Sequence, residues 1–238
     1  MRLGLRLLLC LLSAERSFAS RKILLLHGST SSAGAFMARG AANVLGAASG
    51  AYHDGGPHAW QFGGLDWDAD IAEVTNCGDW WTNEDACSAE SKAVVDSAVA
   101  LVESTFREGG YNGILGFEHG AFIASVVAAR AELGDSGACS DLQFAVFCSA
   151  GIAEPYAELL ERLADTPPSL RRLSLPTLHC LSEADAVMPA DQGALLAACF
   201  GGDVLWHDAG HALPPKDDCK DVIAWCDEVC PEGSKFAN

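Results

Sequence analysis

The chain has 238 residues, half of them apolar and a fifth charged, which is the composition of an ordinary folded protein and excludes a disordered chain or a bundle of membrane spans. Its 32 acidic residues against 15 basic ones leave a net charge of −17, a surface that repels phosphate and so excludes nucleic acid as a partner. A chain of this length buries roughly 70–75% of its unfolded surface and needs no staple to hold a core.

In chain order, MRLGLRLLLCLLSAERSFAS sets Arg2 and Arg6 before a short leucine-rich run, and Ser17-Phe18-Ala19 has the small-residue character of a cleavage site. Residues 1–19 are therefore expected to be a leader to the secretory pathway or an organelle. Glu15 and Arg16 interrupt that pattern, which leaves an uncleaved or mitochondrial-type leader, or a cytoplasmic location, as the alternative. The apolar run is too short to span a bilayer.

Lys22–His27, KILLLH, is a continuous apolar run of the kind that forms a strand buried on both faces of a parallel sheet. The polar turn GSTSS follows, then small and apolar residues at helical spacing over Ala33–Leu45. Ala51–Thr82, rich in Gly, Asp and Trp, shows no period and is expected to be irregular. From Ser88 a helical period runs through AESKAVVDSAVALVESTFREGG and stops at Gly109-Gly110. Next come the strand GILGF and a helix to about Leu133, then a β-rich run at Leu142–Ser149. A short surface helix is expected at Ala157–Ala164, before the breaker Pro167-Pro168. Pro176–Leu181 reads as a buried strand, Ala190–Phe200 as a helix, Val204–His207 as a last short strand and Lys220–Val229 as a terminal helix. Strands alternating with helices argue for an α/β fold with a parallel sheet covered on both faces. No repeat or linker divides the chain, so residues 22–230 are expected to form one domain.

The ten cysteines include Cys10, whose removal with a leader leaves an odd number, so at least one thiol stays unpaired or pairs between chains. Cys77 and Cys87 flank a polar loop and can pair, and Cys219, Cys226 and Cys230 crowd the last helix. Cys139, Cys148, Cys180 and Cys199 fall in or beside apolar segments, as buried inert thiols do. No Cys-x-x-Cys occurs, which removes support for a zinc ribbon or a redox pair.

The chemistry concentrates in Gly113–Ala124, GILGFEHGAFIA. An apolar strand, a pinch between Gly116 and Gly120 and a following helix have the outline of a nucleophile elbow, G-x-S-x-G, but the residue at the centre is Glu118. Taken in order, KILLLHG, WWTNEDACSAESKAVVDSAVALVESTFREGGYNGILGFEHGAFIA, PTLHCLSEADAVMP and HDAGHALPP resemble the FSH-type serine hydrolases, the α/β-hydrolase family that includes the ovarian-cancer-gene-type esterases. The resemblance runs from about Lys22 to Pro215 and is weakest between Ala51 and Asp79. It implies an α/β-hydrolase fold in a single domain, with a doubly wound, mostly parallel sheet and helices on both faces.

Carried over by position, the resemblance puts the acid at Asp185, in a G-x-x-D-like turn, and the histidine at His211. The nucleophile position falls on Glu118, and the oxyanion donors fall on the backbone N–H groups of Ser29 and His119. It implies a small-molecule substrate. The sequence has no phosphate-cradling loop or metal-ligand cluster, so no cofactor or metal is expected. The order nucleophile, acid, histidine lets Asp185 orient one ring nitrogen of His211 while the other faces the elbow.

At the start of a helix an ionised Glu118 is favoured by unpaired N–H groups and the macrodipole. Its carboxylate is long enough to fold into the oxyanion hole and block it. As a nucleophile at an ester carbonyl it would make a mixed anhydride; carboxylate nucleophiles work better at saturated carbon or at glycosidic centres, and the alternative is that Glu118 and His211 jointly activate water as bases. Ser29, Ser31, Ser32, Ser125, Ser149, Cys148 and Cys180 are poor substitute nucleophiles, none being expected on a strained turn aimed at His211. His53, His58, His179 and His207 read as structural or surface groups. The expectation is a carboxylesterase-like protein acting on a small ester or related substrate. The alternatives are a silent pseudo-hydrolase that binds a small apolar or acyl ligand, and a structural or redox role through the cysteines. Trp60, Trp67, Trp80 and Trp81 would line the pocket from a lid over Ala51–Asp85, or else sit in the core.

Overall fold

Continuous apolar runs form the centre of the sheet because each is covered on both faces. Strand β1 (Lys22–Leu26) is KILLL, with Ile23, Leu24, Leu25 and Leu26 at most 1% exposed. Side chains alternate across a strand, so Leu24 and Leu26 join one core while Ile23 and Leu25 join the other. Burying each of these contributes about 1.5–3 kcal/mol. The structure is a computed structural model and describes residues 22–28, 61–65, 89–135, 139–152 and 154–230. The leader expected at residues 1–19, the helix expected over Ala33–Leu45, Cys77 and Cys87 and the four lid tryptophans lie outside those residues.

Beyond β1 the described elements are β2 (Gln61–Leu65), α1 (Ala89–Gly109), β3 (Gly113–Phe117), α2 (His119–Leu133), β4 (Phe144–Cys148), α3 (Ala157–Asp165), β5 (Thr177–Leu181), α4 (Ala190–Phe200), β6 (Asp203–Trp206) and α5 (Cys219–Val229). The strands form a six-stranded sheet in the order β2-β1-β3-β4-β5-β6, and every neighbouring pair is parallel. This is the single α/β domain expected. The larger core lies on the face covered by α1, α2, α3 and α4, where Val102, Phe106, Val126, Leu160, Leu163, Leu196 and Phe200 meet Ile114 and Phe147. On the other face Cys219, Val222 and Cys226 of α5 pack on Leu115, Val146 and Leu178.

Two sequence expectations need correction. Gln61–Leu65 is a strand inside the stretch read as irregular, paired in register with β1 from Lys22↔Gln61 to Leu26↔Leu65. QFGGL has two glycines and no alternation, so only its non-local pairing with β1 gives it strand geometry. Ala157–Asp165 is not purely a surface helix, since Leu160 and Leu163 are buried against the rest of the core.

Helix α2 is apolar on every side, as a helix enclosed by its neighbours must be, and Gly120 to Ala129 are all buried. It runs directly from the end of β3, which places its first turn at the C-terminal edge of the sheet. Parallel α/β sheets bind their ligands at that edge, beyond the strand ends.

Candidate active site

Glu118 occupies the one-residue turn between β3 and α2, with φ 52° and ψ −119°, a backbone state that residues with a side chain rarely adopt. The two flanking glycines make the turn possible. A Cβ at Gly116 would land on the backbone of Gly120 and Ala121, and one at Gly120 would land on the carbonyls of Leu26 and His27. The strand therefore passes into the helix with backbone packed against backbone. The turn is held further by Glu118 N–H donating to the Cys148 carbonyl at 3.0 Å and Phe122 N–H donating to the Glu118 carbonyl at 2.9 Å.

Asp185 and His211, 26 residues apart in sequence, meet beside this turn. Nδ1 of His211 lies 3.0 Å from both carboxylate oxygens of Asp185. A carboxylate accepts only, so Nδ1 carries the proton and donates it, which leaves Nε2 as the ring's basic nitrogen. The Phe117 ring, one residue before Glu118, packs against the imidazole at 5.1 Å between centroids and 48° between planes.

The carboxylate of Asp185 is almost fully buried, whereas the His211 side chain keeps 23% of its surface open. Burial by itself would raise the Asp185 pKa. The backbone N–H of Met188, the His211 ring, the N–H of Val187 and the Ser149 hydroxyl outweigh it, and together they hold the group below its ordinary 3.8. The Val187 and Met188 N–H groups donate to the same oxygen at 2.9 and 2.8 Å. Asp185 is thus a fixed anion, suited to orient and stabilise an imidazolium.

The Glu118 carboxylate turns back toward the end of β1. Its Oε2 stands against Gly28, where a Cβ on that glycine would collide with it. Of the two expected oxyanion donors, His119 opens α2 directly after the elbow, while Ser29 lies outside the described residues. Ser125 donates its hydroxyl to the Phe122 carbonyl at 2.8 Å within its own helix and is fully buried, which removes it as a nucleophile. Cys148 and Cys180 are fully buried on neighbouring strands, and the hydrogen bond with Cys148, with burial, pushes the Cys180 thiol well above its ordinary range.

Ser149 is the residue whose geometry the sequence did not announce. It has φ 52° directly after β4, so it does sit on a strained strand end. Its hydroxyl is one of the groups that hold the Asp185 carboxyl below its ordinary value. An FCS segment gives no sign of a positive φ.

The profile of the FSH1 serine hydrolases matches residues 17–223. The chain belongs to the FSH1 serine hydrolase family. Among FSH1-type relatives, the esterase C25G4.2 of Caenorhabditis elegans is 28% identical over 154 residues, 61% of this chain and 66% of that protein. The esterase OVCA2 of Homo sapiens is 31% identical over 147 residues, 57% of this chain and 60% of that protein. The matches thus span 60–66% of the length of these relatives. Among solved structures, the Zea mays acyl-protein thioesterase 2 superposes with a TM-score of 0.55 at 18% identity, over 87% of this chain and 94% of that one. Arabidopsis thaliana SOBER1 superposes with a TM-score of 0.55 at 12% identity, over 88% and 99%. These likenesses establish the α/β-hydrolase fold for this FSH1 chain. No described helix is long and apolar enough to cross a membrane.

Proposed function

We propose that the protein is a carboxylesterase-like hydrolase of a small ester or related substrate, with Glu118, Asp185 and His211 at the reacting centre. The backbone N–H groups of Ser29 and His119 would receive the oxyanion. The single observation that carries this reading is the Asp185–His211 pair, with both carboxylate oxygens 3.0 Å from Nδ1, next to the strained turn at Glu118. Nε2 of His211 takes a proton from water as the water oxygen adds to the ester carbonyl. The tetrahedral oxyanion rests on the two N–H groups, and His211 returns the proton to the departing alkoxide. Glu118 stands where the family resemblance places serine. It acts as a second base beside His211 rather than as an acyl acceptor.

The test is a panel of short- and medium-chain esters, with epoxides and alkyl halides, hydrolysed by the wild type and by His211→Ala. Loss of the activity in the variant supports the reading; equal rates in the two proteins remove it.

One observation favours a second reading. The Glu118 carboxylate against Gly28 lies at the turn after β1, where a substrate oxygen would be received. A carboxylate fixed there blocks acyl transfer, and the protein would then be a silent pseudo-hydrolase binding a small apolar or acyl ligand. Delivery to the secretory pathway or an organelle by residues 1–19 is part of the proposal, and a fluorescent fusion of that segment tests it.

A further inference from the structure

The turn that carries Asp185 has the form G-x-x-D in the resemblance stated above, yet in this chain its first residue is Ser182, in Ser182-Glu183-Ala184-Asp185. Ser182 follows β5 directly and is 3% exposed. Its hydroxyl oxygen accepts the N–H of Ala184 at 3.3 Å, within the aspartate's turn. It also accepts the N–H of Gly210 at 3.1 Å, from the loop after β6, 28 residues further along the chain. Its carbonyl accepts the N–H of Asp185 at 3.1 Å. Gly210 immediately precedes His211, and Ala184 immediately precedes Asp185. One buried oxygen therefore ties the residues before both members of the pair.

We infer that Ser182 is a positioning residue that sets the register between the Asp185 turn and the His211 loop, so that the imidazole meets the carboxylate. The physical reason lies in how the two side chains are carried. Each sits on a loop leaving a different strand, and loop backbone is free to shift unless its polar groups are fixed. A hydroxyl that accepts from both loops fixes their separation where a glycine has no atom to do so. Removing it leaves the Ala184 and Gly210 N–H groups, both part-buried, without the acceptor they share, and nothing then fixes the two loops against each other. The inference rests on the proposed role of the Asp185–His211 pair, but its test needs no substrate.

The measurement is the low-field proton resonance of His211 Nδ1–H in the full-length protein, assigned by its disappearance in His211→Ala. Its exchange with solvent is read by saturation transfer. In Ser182→Ala the exchange rate is expected to rise about tenfold, the ratio that follows from losing about one net hydrogen bond, while Ser182→Thr, which keeps the hydroxyl, restores the wild-type rate. Ser182→Gly, the residue of the G-x-x-D-like pattern, carries the same expectation and serves if the alanine variant does not fold. A wild-type exchange rate in a folded Ser182→Ala or Ser182→Gly overturns the inference and leaves the pair intact. Absence of the resonance in the wild type overturns the pair itself, and the inference with it.

Discussion

Glu118 and Ser149 stand side by side at the C-terminal ends of β3 and β4, each with φ 52°, and among the described residues they are the non-glycine positions with positive φ. Strain of this kind persists only where the surroundings over-determine it, and it gathers at functional sites. Here the strain turns both residues toward the edge of the sheet, where Asp185 and His211 meet. The turn at Glu118 survives although the residue at its centre is a carboxylate.

The strained turn predicts a reversal of the usual side-chain order. In strands and helices Gly is less stable than Ala by roughly 0.5–1 kcal/mol. At Glu118 the backbone disfavours any Cβ, so Glu118→Gly should be more stable than Glu118→Ala by about 1 kcal/mol. Urea unfolding of the two variants measures the difference, and the ordinary order would show that the turn is relaxed.

Glu118→Ser places a hydroxyl on the elbow beside an assembled Asp–His pair. It should gain covalent labelling by a fluorophosphonate at position 118, where the wild type has no hydroxyl. Ester hydrolysis should rise by several orders of magnitude, bounded by the factor of about 10⁶ that a triad nucleophile contributes to kcat. The double variant Glu118→Ser/His211→Ala should lose both gains. Labelling that survives without His211 would show that the pair does not serve the elbow.

His179 on β5 is 1% exposed, packed between Phe147 and Phe200, and burial lowers its pKa from 6.5 to about 3. Between those values the unfolded chain takes up a proton that the folded chain refuses. Its contribution to stability is therefore whole above pH 6.5 and is lost as the pH falls toward 3. From pH 7 to pH 5 the wild type should lose about 2 kcal/mol more than His179→Gln. Equal losses in urea titrations at the two pH values would count against the assignment.

Arg171 joins three helices. Its guanidinium pairs with the buried Glu132 of α2 at 2.8 Å and donates to the carbonyls of Leu163, Thr166, Cys199 and Phe200 at the ends of α3 and α4. Arg171→Met strands a buried carboxylate and should cost about 3–5 kcal/mol. Arg171→Lys keeps the charge but cannot reach all those acceptors and should fall between the two. Adding Glu132→Gln to Arg171→Met should recover part of the loss. A loss that is the same with and without it would show that the carboxylate is not the source of the cost.

What the sequence determined by itself is the set of elements whose signal is local. KILLL, GILGF, FAVFC and TLHCL are apolar enough to demand burial on both faces, and the pause of two glycines marks the end of α1; with the short strand before His207, five of the six described strands and the helices α1 to α5 are expected from the residues. The elbow outline around Glu118 is a local pattern of a strand, paired glycines and a helix, whereas Asp185 and His211 are placed by the family resemblance. Only the tertiary structure decided the rest. QFGGL is a strand because β1 offers it hydrogen bonds, not because its residues prefer that state. The pairing of Asp185 with His211 at 3.0 Å, the brace from Ser182 across 28 residues, the strain at Ser149 and the turn of the Glu118 carboxylate toward Gly28 all depend on groups brought together by the parallel sheet. Those are contacts between residues far apart in the chain, and no short stretch of sequence carries the free energy that fixes them.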